Sequence, residues 1–236
     1  MTNPPPGEGE AALARVWDLP VRMVHWAMAA LLPTLWWTAE QHMMDWHRRA
    51  GFLLLALLVF RTLWGLFGSS TARFATFVRG PMAVGRYARS LIGRSGGPVF
   101  HGHNPMGGWS VIGMLGLLAL QIGLGLFAVD VDGIEGGPLS IYVSFDTARG
   151  AAELHEIVFN LLLVLVALHI AAVLSYLLFK RENLISPMVR GARRARPGEA
   201  PMRAAPLWRA VAAAAVASGV AYWVSKGAPN PLIGVG

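Results

Sequence analysis

The chain has 236 residues, of which 55% are hydrophobic and only 14% charged. Too few charges are available to cover a soluble domain of this size, so the composition is that of a membrane protein. The net charge of +7 sits in arginines between and after apolar stretches, which argues for orientation in a bilayer and against nucleic acid, and the absence of cysteine excludes disulfides, iron–sulfur ligation and Cys-x-x-Cys-His attachment chemistry.

Taken in order, residues 1–14, "MTNPPPGEGEAALA", hold three prolines and no apolar core. They lack the features of a cleavable signal peptide, so a cytoplasmic tail is expected. A crossing needs about 20 apolar residues. Five candidates follow: 21–39, 51–67 with entry near Trp46, 109–129, 154–179 and 207–224. Nine tryptophans and four tyrosines suit the belts at the lipid–water boundary. The last candidate, "LWRAVAAAAVASGVAYWV", is alanine-rich and admits a second reading, a helix lying in the interface.

Charge sets the direction of the spans. Residues 68–108 carry Arg73, Arg79, Arg86, Arg89 and Arg94 and no acid. After the fourth span, Lys180, Arg181, Arg190, Arg193, Arg194, Arg196 and Arg203 outweigh Glu182 and Glu199. The stretch 130–153 is the opposite, with Asp130, Asp132, Glu135, Asp146 and Glu153 against Arg149. Arginine-rich loops stay inside, so the expected N-terminus is cytoplasmic, the acidic loop faces outward, and "KGAPNPLIGVG" lies outside. No internal repeat stands out. The expected organisation is a tail (1–14), a membrane domain (15–191), a cytoplasmic linker (192–206) and an additional helix with its tail (207–236).

Seven histidines are present. His42, His101 and His103 fall in or beside loops, whereas His25, His47, His155 and His169 fall in or at the edge of spans. An ionisable group at membrane depth is costly and by default functional. His155 and His169 are 14 positions apart. At about 1.5 Å per residue and about 3.6 residues per turn they share one helix face roughly 21 Å apart. The first span runs the other way, which puts His25 level with His169; the second begins outside, which puts His47 level with His155. Two facing imidazoles at one depth suit six-coordinate haem iron, and two such pairs make an electron path across the bilayer. Zinc would need three or four ligands at one level, and a proton relay would draw on acids, of which the spans offer only Glu156. Arg61 shares the face of His47 about 21 Å further in. It is read either as the partner of a haem propionate or as a side chain snorkelling to the boundary; Arg48 and Arg49 stand similarly at the outer end. The third span contributes Gly113, Gly116, Gly123 and Gly125, which suit close approach of a macrocycle or ordinary helix packing.

The stretches "VWDLPVRMVHW", "HRRAGFLLLALLVFRTLWGLFG", "GHNPMGG" and "LHEIVFNLLLVLVALHIAAVLSYLLFKRENLISPMVRG" resemble the bacterial di-haem cytochrome b561 family, which includes cytochrome b subunits of nickel–iron hydrogenases. The resemblance covers about residues 15–191 and implies an all-α four-helix transmembrane bundle holding two non-covalent b-type haems. Its ligands map onto His25, His47, His155 and His169. It also implies electron transfer between the membrane quinone pool and a periplasmic partner across a bacterial inner membrane. The family core ends after the fourth helix, so a fifth C-terminal transmembrane helix is an addition. Two readings remain for "GHNP": His103 and Asn104 hydrogen-bond a quinone near the inner haem, or Asn104 caps the helix that Pro105 begins. The acidic outer loop suits a basic c-type cytochrome. Two rival readings are a membrane anchor of a hydrogenase-like complex and a transporter without redox chemistry, the latter lacking Gly/Pro-broken helix pairs.

Overall fold

The structure, a computed structural model, describes residues 13–92, 100, 102–196 and 200–229. The expectations for residues 1–12, for Arg94, His101 and Glu199, and for the end of the outer tail fall outside those residues. Helices α1 (Leu19–Glu40) and α2 (Met44–Phe67) form one antiparallel hairpin, and α5 (Pro105–Phe127) and α6 (Phe145–Leu178) form another. Between the hairpins lie the short α3 (Phe74–Phe77) and α4 (Pro81–Ile92). After α6 come α7 (Ile185–Arg190) and α8 (Leu207–Ser225).

Local chemistry sets the helix starts. Asp18 accepts from Val21 N at 2.9 Å and caps α1, with Pro20 in the first turn, where its missing N–H costs nothing. Asn104 accepts from Gly107 N at 2.7 Å and caps α5 just before Pro105. Ser144 caps α6 and Asp146 adds a negative charge at its positive end. These caps start α5 and α6 earlier than hydropathy alone predicts. α6 has 34 residues, about 51 Å of helix, and so overreaches an apolar layer of about 30 Å.

Among the described residues, four helices are long and apolar enough to cross a membrane: α2, α5, α6 and α8. The fifth helix therefore has the character of a span, and it packs lengthwise on α2. Lipid tails are as apolar as leucine, so packing rather than water avoidance must hold the pair together. Ala213, Ala217 and Ala221 recur every fourth residue, are buried, and let α8 approach closely. α1 is not among those four helices although it has 22 residues, because Arg22, His25, Pro33, Thr34 and Thr38 dilute its apolar content.

The hairpins touch chiefly through α2 and α5, and α1 and α6 face each other more loosely. A slot remains between them. Midway along it Leu35, Leu54, Leu58, Leu118 and Leu162, drawn from all four helices, make one buried apolar cluster. On α6 the lipid face reads Leu154, Ile157, Leu161, Val164 and Leu168, all exposed, while Val158 and Leu162 point inward with His155 and His169. Two features were not legible beforehand. α4 is a helix within the arginine-rich segment, and β1 (Leu13–Arg15) pairs antiparallel with β2 (Ala192–Arg194), joining the tail to the linker. Gly191, at φ 85°, makes the turn after α7 and accepts from Val16 N and Trp17 N, which brings that ribbon together.

Candidate functional site

Two pairs of histidines face each other across the slot. At the level expected to lie inside, the rings of His25 on α1 and His169 on α6 have centroids 6.4 Å apart and planes tilted by 54°. At the level expected to lie outside, His47 on α2 and His155 on α6 have centroids 6.3 Å apart at 75°. All four side chains are partly buried. The leucine cluster separates the two levels.

The outer pair is held by the backbone. His155 Nδ1 lies 2.8 Å from the carbonyl of Gln121, and His47 Nδ1 lies 3.0 Å from that of Leu35, with Thr38 Oγ1 at 3.4 Å. A carbonyl only accepts, so each Nδ1 must carry the proton and each Nε2 keeps a free lone pair. Gly125 admits the ring of His155: a Cβ there would stand 2.8 Å from Cε1. Gly137, in the loop after α5, lies against the carbonyls of Gly125 and Leu126, so the outer loop folds back onto this site. In the inner pair, His25 Nδ1 is buried without a hydrogen-bond partner.

Arg61 is 7% exposed. Among the described residues, its guanidinium reaches only the carbonyl of Ala72 at 3.5 Å and the ring of Phe74 at 5.2 Å. Asp18 is close enough to be felt, but its two oxygens are occupied by Val21 N and Trp64 Nε1. Arg61 is thus a buried cation without a hydrogen-bonded anion, and it does not snorkel. Arg48, expected to face an anionic group outside, pairs with the protein's own Asp45 at 2.6 Å and with Glu135 of the outer loop. Arg49 lies over the Trp46 ring at the mouth of an apolar recess of about 400 Å³ between α1 and α2.

His103 packs between Trp17 and Phe77, with ring centroids 4.6 Å from each. Burial, then the charge of Arg61, pushes its imidazole down to about 3, so it is neutral at physiological pH. Asn104 serves the cap of α5 with its oxygen and donates its amide to Tyr176 Oη at 3.1 Å. Both ends of its side chain are therefore engaged, which favours the capping reading over a quinone contact. Tyr176 also meets Tyr87 of α4, and burial together with that bond raises the Tyr87 phenol. His42 stays on the exposed turn between α1 and α2, at φ 54°. Among the described residues, no three His, Cys, Asp or Glu side chains converge as a metal site.

The backbone carbonyls of Gln121 and Leu35 are features of the site that sequence reasoning missed. Gln121 alone left a trace, as the single amide side chain in an otherwise apolar run. A carbonyl leaves none.

The family model for prokaryotic cytochrome b561 matches residues 16–191. The chain belongs to the prokaryotic cytochrome b561 family. It is therefore a multi-pass membrane cytochrome of the b type, and its work is electron transfer. The match ends at Gly191, so α8 lies outside the family region of this cytochrome. No curated protein and no solved structure gives a match.

Proposed function

We propose that this cytochrome relays electrons across the bacterial inner membrane between the quinone pool and a periplasmic redox partner, through two haems held at two depths. His25 and His169 would hold the inner haem, and His47 and His155 the outer one. The ring spacing carries this reading. An imidazole nitrogen about 2 Å from a metal puts its ring centre about 3 Å away, so two rings on opposite sides of one ion stand about 6 Å apart. The observed 6.4 and 6.3 Å fit that separation at both levels.

When bound, haem supplies reversible one-electron chemistry at iron. The chain supplies the rest. Leu35 and Gln121 orient His47 and His155 and keep their Nε2 atoms basic. The leucine cluster keeps water out of the middle of the slot. Arg61 offers a positive charge that a carboxylate of the inner haem would neutralise. The arginine-rich segments support a cytoplasmic N-terminus and an outward acidic loop.

The test is reconstitution in lipid vesicles with a water-soluble oxidant confined to the side of the acidic loop. A quinol in the membrane should reduce two haems per chain, and oxidant consumption should follow. A single haem, or none reducible by quinol, would sink the reading. One observation favours a second reading, a membrane anchor for a larger outer subunit: Val131, Ile134 and Ile141 on the outer loop are 70, 81 and 78% exposed. Co-purification of a stoichiometric outer subunit from native membranes would favour that alternative.

A further inference from the structure

Residues 200–205 lie outside the family region yet are fastened to its inner face. Ser70 N donates to Arg203 O at 3.0 Å and Arg203 N donates to Ser70 Oγ at 3.0 Å. Ala205 N donates to Ser69 Oγ at 3.2 Å, and Arg209 at the head of α8 reaches the carbonyl of Phe67. This clamp closes one wall of a cavity of about 470 Å³, lined among others by Ser70, Thr71, Thr76, Arg79, His103 and Arg203.

The cavity is lined by cations and by groups able to donate. Thr71 is 5% exposed and its Oγ1 has no partner; His103 Nδ1 is likewise buried and unpartnered. Among the described residues, neither Arg79 nor Arg203 has a side-chain partner and no aspartate or glutamate lines the space. Buried donors and unneutralised cations facing one space call for an oxyanion. His103, which lines the cavity, packs on Trp17, and Trp17 packs with Val21 one turn before His25 on α1, so the cavity lies at the end of the bundle that holds the His25–His169 pair.

Resting on the relay described above, we propose that Arg203 completes an anion site, with Arg79, Thr71 and His103, for the carboxylate arms of the haem held by His25 and His169. The C-terminal addition thereby becomes part of the inner redox site. Arg203 raises the inner reduction potential because a nearby positive charge favours the form carrying the extra electron.

The experiment is a potentiometric titration of the full chain carrying both haems, in detergent. Arg203→Gln should lower the inner potential about threefold in equilibrium terms, or about 28 mV at about 59 mV per tenfold for one electron. Arg203→Lys should restore most of that shift. Arg203 is exposed and its backbone makes the clamp, so folding should survive the substitution. In an His169→Ala background, which retains the outer haem alone, Arg203→Gln should move nothing. Thr71→Val should narrow the preference of the inner site for haem over its dimethyl ester. An inner potential indifferent to both Arg203 and Arg79, in a chain shown to carry two haems, overturns this inference and leaves the relay standing. Absence of the second haem overturns both. A potential that shifts with added phosphate in the unaltered chain would assign the cavity to a free oxyanion and overturn the assignment to the haem.

Discussion

Gly125 on α5 and His155 on α6 are in contact so close that a methyl group on the glycine would stand 2.8 Å from the imidazole Cε1. The contact also sets the reach of His155 Nδ1 to the carbonyl of Gln121, one turn back on α5. Gly125→Ala should therefore displace the ring and weaken haem binding at the outer site by about 10- to 100-fold, the range typical of changes to groups that orient a ligand. The inner site should be unaffected. Haem titration of apoprotein monitored by absorbance reads this directly, and equal loss at both sites would point to general misfolding instead.

Each histidine on α6 faces a different partner, so each should govern a different haem. His169→Ala should cost the inner haem and His155→Ala the outer one, with His25→Ala and His47→Ala reproducing those losses in turn. The pyridine haemochrome assay, normalised to protein, should fall from two haems to one in every single variant. A variant that retained both would remove its histidine from the ligand set.

Arg61 makes an unusual forecast. A buried cation without a hydrogen-bonded anion destabilises the chain that carries it. Arg61→Met should leave the haem-free protein as stable as before, or raise its midpoint of thermal unfolding. The same change should weaken inner-haem binding about tenfold, roughly 1.4 kcal/mol. Scanning fluorimetry on the haem-free form and haem titration on the same preparation give the two answers. A drop in both would mean that Arg61 is structural.

The outer loop should govern encounter rate with a basic partner. Oxidation of the reduced cytochrome by a basic c-type cytochrome should slow about tenfold between low and high salt, since screening acts over about 8 Å at physiological ionic strength. Neutralising Asp132 and Asp146 should mimic salt, whereas Glu135 is tied to Arg48 and is a poorer choice of test. Stopped-flow traces across a salt series decide it. A flat series would move the dock away from this loop.

Much of this protein could be read from one dimension. Apolar stretches about 20 residues long announce spans wherever the bilayer fixes the required length. The asymmetry of arginine and acid gives an expected direction, and the 14-residue step from His155 to His169, a near-whole number of turns, puts the two on one face. Helix starts at Asp18, Asn104 and Ser144 are local chemistry too. What only the tertiary structure decided is everything that depends on two segments meeting. The facing of His25 with His169 and of His47 with His155 at 6.4 and 6.3 Å needs the two hairpins set apart by a slot. The burial of Arg61, the pairing of Arg48 with Glu135, the ribbon between residues 13–15 and 192–194, and the fastening of Arg203 to Ser70 all join positions distant in the chain. Such contacts use backbone carbonyls and general-purpose polar groups, which leave no periodic signal, so their partners are fixed only once the helices have packed.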